Sequence, residues 1–267
     1  MAKYPVEDIR QNLQVRTYLD NHKVYLSLTT SPQRLAKLPL VLQGLDLTHI
    51  EAVLLALPAK YKNQEEYVIP EAVSSLPKLK ILERRAHDLG PIMKLVPAVE
   101  YVLSLGDPKA LVLTIDDDVA HAKGTFGQLI KGSVLRGGVV ASNGYSAGHF
   151  GLSKQEWVES FALAPSVNLI EGYAGVAYPV GQVDTARMIQ LSQVSKNCKT
   201  SDDLVISWVL AESRVPRSMI KNVYIPGGRP FQFGLKSDAL HAIASNDSRY
   251  QDCAKTLVKW IPGSVRE

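Results

Sequence analysis

The sequence predicts an α/β domain: a mostly parallel central sheet flanked by helices, with a smaller, partly antiparallel addition in its second half. Three observations predict it. Short apolar runs rich in β-branched residues recur through the first half of the chain with helix-compatible segments between them, the alternation that builds parallel sheets with right-handed crossovers. One of these runs, Leu111 to Ile115, reads as a buried strand and ends abruptly in Asp116, Asp117 and Asp118. Beyond it glycines become frequent and the strand-like runs shorten.

Taken in order, residues 1–20 read as a short helix or arm. Residues 23–30 have strand composition and break at Ser31-Pro32, and a helical stretch spans 35–45. A second strand covers 52–57 and stops at Pro58; a polar segment over 61–67 leads to a helix near 72–76. The third strand is 79–82, and after Asp88-Leu89-Gly90-Pro91 a helix over 93–105 precedes the acidic strand. In the second half Gly132, Gly137, Gly138, Gly144, Gly148 and Gly151 predict loops, with 138–142 as the best short strand. Residues 170–179 form another strand-like run, whose Gly172 and Gly175 let backbone approach a ligand closely. Helices follow over 183–191 and 202–213, and one more lies within 238–260. No repeat or linker divides the chain, so 1–267 is expected to be one domain, with halves over about 20–118 and about 119–267 that meet at the acidic strand end.

Bulk properties narrow the function. With 46% hydrophobic and 21% charged residues the chain has the composition of a globular protein, not a disordered one. A net charge of +4 spread along its length argues against a dedicated nucleic-acid binder. No apolar run is long enough to span a membrane, and residues 1–10 lack an apolar signal core. That pattern leads to an expected cytoplasmic location, and Cys198 and Cys253, too few for a disulfide framework and not in Cys-x-x-Cys spacing, are expected to be reduced, structurally incidental thiols. Oligomeric state leaves no mark on the sequence.

Three carboxylates at a strand end need compensation, because an apolar core cannot hold them unpaired. If the extended backbone persists, Asp116 and Asp118 point to one side and Asp117 to the other. Paired oxygen ligands suit Mg²⁺ or Mn²⁺ together with the oxygens of a diphosphate. Asp-x-Asp alone is a short pattern, and a solvated acidic turn would account for it equally well. Ser201-Asp202-Asp203 opens a helix with Ser201 as N-cap. Its acids either complement the macrodipole or supply a base that deprotonates an acceptor hydroxyl. Thr29, Ser31 and Arg34 follow the first strand, where a loop at a sheet edge can contact a nucleotide, and Lys94 can reach a phosphate from the turn after Asp88. His241 is the histidine best placed as a further metal ligand, while His22, His49, His87, His121 and His149 lack ligand spacing.

The order of these pieces resembles nucleotide-sugar glycosyltransferases of the GT-A fold, a Rossmann-like α/β architecture. The resemblance comprises Thr29-Thr30-Ser31-Pro32-Gln33-Arg34, Gly90-Pro91-x-x-Lys94, Asp116-Asp117-Asp118, Gly172-Tyr173-Ala174-Gly175, Asp202-Asp203 and the late His241, and it covers nearly the whole chain. It implies Thr29, Ser31 and Arg34 beside the nucleotide, and Asp88 and Lys94 near its base or phosphates. Asp116 would meet the ribose or a metal-bound water, Asp118 would bind the metal, and Asp117 would share either task. Gly172 to Gly175 would border the donor sugar or acceptor, Asp203 or Asp202 would be the base, and His241 would approach the metal or diphosphate. The implied activity is transfer from a nucleotide-diphosphate sugar, UDP-linked as a first guess, to a hydroxyl of a glycan or other acceptor, with inversion and with Mn²⁺ or Mg²⁺ as cofactor. The alternatives are a Mg²⁺-dependent phosphohydrolase of haloacid-dehalogenase type, in which Ala120 stands where Thr or Val is usual, a sugar-nucleotide pyrophosphorylase, for which the loop after the first strand lacks glycines, and a non-catalytic carbohydrate-binding protein.

Overall fold

The computed structural model describes residues 8–82, 86–145, 169–220 and 246–258. Its strands are β1 (Val24–Leu28), β2 (Ala52–Leu55), β3 (Lys60–Tyr61), β4 (Glu65–Glu66), β5 (Leu79–Ile81), β6 (Leu111–Thr114), β7 (Val139–Ala141), β8 (Gly144–Tyr145), β9 (Leu169–Ile170), β10 (Val176–Pro179) and β11 (Arg217–Met219). Its helices are α1 (Leu13–Asn21), α2 (Leu38–Gln43), α3 (Glu71–Ser74), α4 (Val96–Ser104), α5 (Thr125–Arg136), α6 (Thr185–Ser192), α7 (Lys196–Lys199), α8 (Asp202–Glu212) and α9 (Asn246–Val258).

Seven strands form one sheet in the order β5-β2-β1-β6-β10-β7-β11. The pairs β1·β2, β1·β6, β2·β5 and β7·β11 are parallel, and β10 runs antiparallel between β6 and β7. This is the expected α/β class with one adjustment. The short strands of the second half mostly extend the central sheet, and the small antiparallel addition is the two-stranded β8·β9 ribbon.

Side chains alternate along each strand, so the sheet has two buried faces. Tyr25, Leu54, Val112, Val139, Ala141, Val176 and Tyr178 pack under α4, α6, α8 and α9. Val24, Leu26, Leu28, Val53, Leu55, Leu111, Leu113 and Ile115 pack under α2 and α5, with Val15 and Val73 contributed by α1 and α3. Burying both faces explains why the central strands read as continuous apolar runs.

Several expectations require correction. The helices expected over 35–45 and 93–105 are each split into a 3-10 turn, Pro32–Lys37 or Gly90–Lys94, and an α-helix with a proline in its first turn. Pro39 and Pro97 restart the helix because the first turn has no N–H to lose. The glycine-rich stretch after 120 holds a twelve-residue helix, α5, where loops were expected. Gly132 lies inside it because a Cβ there would meet Val140 Cγ1 and Ile220 Cγ2 at 3.0 Å, so glycine serves close helix-to-sheet packing. Cys198 and Cys253 are not incidental thiols but a disulfide linking α7 to α9 across 55 residues of sequence. Packing of α7 on α9 brings their Cα atoms to 4.8 Å, a proximity no local spacing foretells. The bridge overturns the expectation of reduced thiols, and among the described residues no helix is long and apolar enough to cross a membrane.

Candidate functional site

The site begins where β6 stops. Asp116 leaves the end of the strand and Asp117 and Asp118 form a turn. On the alternation of the strand Asp116 shares the face of Val112, and its Oδ1 accepts a hydrogen bond from Lys94 Nζ at 2.8 Å. Asp117 turns to the opposite face, where Arg34 Nη1 donates to its Oδ1 at 2.8 Å and the Thr30 hydroxyl donates to its Oδ2. Asp118 does not rejoin Asp116 as strict alternation predicts: once the chain turns, its Oδ2 lies 3.2 Å from Arg34 Nη1.

Lys94 is the centre of the first face. The 3-10 turn Gly90–Lys94 delivers it, and Asp88 shapes that turn by accepting from the backbone N–H groups of Gly90 and Lys62, each at 2.7 Å. Only 4% of Lys94 is exposed, and its ammonium lies 3.1 Å from Asp202 Oδ2 as well as bonding Asp116. The acidic strand end and the acidic helix start, more than 80 positions apart in sequence, thus meet on one cation. Gly172 completes the contact: its N–H donates to Asp203 Oδ1 at 2.9 Å, and a Cβ there would stand 2.7 Å from Lys94 Nζ. Glycine is the residue that lets this backbone reach the pair.

The remaining expected residues divide. Thr29 and Ser31 are half-buried beside Thr30, Ser31 accepting from the Arg34 N–H through its carbonyl at 3.0 Å. Ala174 is buried, and the Tyr173 hydroxyl accepts from the Asn143 side chain. Ser201 occupies the N-cap position of α8 without a side-chain capping bond, so the first turn relies on Asp202 and Asp203. His241 lies outside the described residues. Three contributors escaped the sequence reading: Thr30, Tyr250 and His121. Thr30 entered there only within the Thr29 to Arg34 stretch, and His121 only as a histidine without ligand spacing. Tyr250 Oη stands 3.3 Å from Asp203 Oδ2 from a helix near the chain's end, and His121 follows the acidic turn with its Nε2 buried and without a hydrogen-bond partner among the described residues.

Charge is unevenly matched here. Asp116, Asp117, Asp118, Asp202, Asp203 and Glu171 surround Lys94 and Arg34. Burial works to lower the Lys94 pKa, but Asp116, Asp202 and Asp203 overcome it and hold the ammonium charged well above its ordinary range. Burial, and then the Asp202 charge, pushes Asp203 well above the usual carboxylate range despite Lys94. Asp117 is raised chiefly by burial, against Arg34, and Asp118 by burial and then Asp116. Burial drives His121 down to about 4, with Asp116 opposing.

The chemistry of the donor set bears on a divalent ion. Among the described residues no three His, Cys, Asp or Glu side chains converge on one point. Mg²⁺ in phosphate chemistry is commonly held by one or two carboxylates, with water and substrate phosphates completing its shell. Hard oxygen donors in surplus over the cations fit an ion that arrives with a diphosphate, and Asp118 and the partly exposed Asp116 are the carboxylates available to hold it.

No protein-family model matches the sequence, and no curated protein matches it. Among solved structures the chain is similar to a 4-diphosphocytidyl-2C-methyl-D-erythritol synthase, at 11% identity over 75% of this chain and 88% of that one, with a TM-score of 0.44. It is also similar to a UDP-glucose pyrophosphorylase from Acinetobacter baumanii, at 10% identity over 91% and 95% of the two chains and a TM-score of 0.46. A third likeness is to A197 from STIV, at 14% identity over 80% and 95% and a TM-score of 0.34.

Proposed function

We propose that this chain is a glycosyltransferase that moves a sugar from a nucleotide-diphosphate donor, UDP-linked in the first instance, to a hydroxyl of a glycan or other acceptor. The observation that carries the reading is Lys94, buried and shared between Asp116 at the strand end and Asp202 at the helix start. It joins the two acidic elements in one centre at the carboxyl edge of the sheet, where open α/β sheets bind their ligands.

In this reading Asp116 faces the donor and Asp203, with Asp202 as the alternative, is the base. The acceptor oxygen forms a bond to the anomeric carbon while its proton passes to the carboxylate. The bond from that carbon to the diphosphate breaks, and its electron pair leaves with the nucleotide. A raised Asp203 pKa suits the task, since a base with a pKa nearer the working pH accepts a proton more effectively. Lys94 orients Asp116 and Asp202, and the Gly172 N–H fixes one oxygen of Asp203. Attack with a single base behind the nucleophile inverts the anomeric configuration. Asp118 and Asp116 would hold Mn²⁺ or Mg²⁺, which when bound supplies Lewis-acid stabilisation of negative charge on the departing diphosphate.

The test is release of nucleoside diphosphate from a panel of nucleotide sugars with acceptor, with and without Mn²⁺, preceded by a thermal-shift screen for the bound nucleotide. Asp203→Asn is expected to keep nucleotide binding and lose transfer by at least about 10²-fold. Full activity in that variant with Asp202→Asn inactive moves the role to Asp202. Equal turnover by the wild type and Asp118→Ala removes the metal role. Formation of nucleoside triphosphate and sugar 1-phosphate when pyrophosphate is added replaces glycosyl transfer with a nucleotidyl exchange, and release of inorganic phosphate from a phosphomonoester, with no nucleoside diphosphate from any nucleotide sugar, replaces it with a phosphohydrolase.

A further inference from the structure

Helix α9 reaches the site from far along the chain, and three ties fasten it to the segment that leads into α8. The Cys198–Cys253 disulfide joins it to α7, Arg249 Nη1 donates to the Thr200 carbonyl at 3.1 Å, and Asn197 Nδ2 donates to Asp252 Oδ2 at 3.3 Å. These ties hold one face of α9 against the turn just before Asp202 and Asp203. That face carries Tyr250, whose hydroxyl meets Asp203 Oδ2 at 3.3 Å while the Gly172 N–H meets Oδ1 at 2.9 Å. Both carboxylate oxygens are thereby directed, one by backbone and one by a side chain from another element. At 3.3 Å the phenol bond is long for a hydroxyl donor, so its strength depends on where α9 is held. Burial keeps the Tyr250 phenol protonated well above its ordinary range, so it stays a donor.

We propose that Tyr250 is a positioning residue for the Asp203 carboxylate, and that the Cys198–Cys253 bridge sets its approach; the assignment rests on the reading of Asp203 as the base. The other groups facing Asp203 are Asp202 from its own helix, Lys94 from the 3-10 turn, Glu171 beside the glycine turn, Asp116 from the end of β6 and Tyr178 from β10, with Arg249 facing Tyr250. None of these is altered by removing one phenolic hydroxyl.

The experiment titrates the Asp203 carboxyl carbon by carbon-13 NMR, assigned with Asp203→Asn. It compares wild type, Tyr250→Phe and the double variant Cys198→Ser with Cys253→Ser, and measures the pH–rate profile in parallel. Loss of a donor to the ionised form is expected to move the titration upward by about one pH unit in Tyr250→Phe. The double serine variant shifts the same way by less, the acidic limb of kcat follows, and donor KM is unchanged. A structural contact alone would lower Tm and leave the titration in place. An unshifted Asp203 in both variants overturns the proposal. Should Tyr250→Phe not fold, the double serine variant and dithiothreitol-treated wild type decide it through α9 alone. A shifted titration without transfer from any donor upholds the positioning and removes the transferase reading; an unshifted titration with transfer lost only in Asp203→Asn does the reverse.

Discussion

The acidic turn is braced by two cations on opposite faces of one sheet, and the two sides differ in what they connect. Arg34 answers Asp117 and Asp118 with help from Thr30, so that side joins the loop after β1 to the turn after β6, and the Tyr67 hydroxyl donates to the Thr30 carbonyl at 2.8 Å. Lys94 answers Asp116 and Asp202 and touches the Gly172 turn, so that side ties both halves of the chain together. The lesson is that one face gathers distant elements on a single buried charge, while the other joins the loops that follow two adjacent strands.

Lys94→Met is expected to show the largest effect. It leaves Asp116, Asp202 and Asp203 without their cation, and breaking a buried ion pair costs about 3–5 kcal/mol. Urea unfolding measures it, and a loss below about 1 kcal/mol would put the two faces on an equal footing. The deficit should shrink on acidification. Asp203 has its folded pKa raised, so its contribution is present below the unfolded pKa and lost as pH rises through the folded one, and removing Lys94 deepens that loss.

His121 sharpens the comparison from beside the turn. Its folded pKa of about 4 lies below the ordinary histidine value of 6.5, so the unfolded chain binds the extra proton between them and stability falls as pH drops through that window. The size is on the order of 3 kcal/mol at most, at about 1.4 kcal/mol per pH unit. It is read as the difference between wild type and His121→Gln, because raised carboxylates such as Asp117 tilt the wild-type curve the other way. Identical pH curves for the two proteins would show that the imidazole is not held neutral.

Arg34→Met should cost least, about 1.5–3 kcal/mol for lost charge-assisted hydrogen bonds. The Lys94 side should stay intact, visible as an unchanged Gly172 amide resonance. A shift at Gly172 as large as that in Lys94→Met would mean the faces are coupled and the division drawn above is wrong.

Legibility followed the range of the interactions. The strands β1, β2 and β6 could be read because burial on both faces demands a local apolar run, and the acidic triplet because charge at a strand end is conspicuous. Helix α5 could not, since Gly132 signals a loop until Val140 and Ile220 are seen to press against it. Lys94 was singled out for a phosphate and proves to be paired with protein carboxylates, a distinction that spacing does not contain.

What residue order alone settled is therefore the α/β class, the acidic strand end and the acidic helix start, each a matter of neighbours within a few positions. Folding in three dimensions decided which carboxylate meets which cation, that Cys198 bonds Cys253, and that Tyr250 reaches Asp203. Those outcomes hinge on packing between segments tens of residues apart, and a pairing of that kind leaves no periodicity for a one-dimensional pattern to hold.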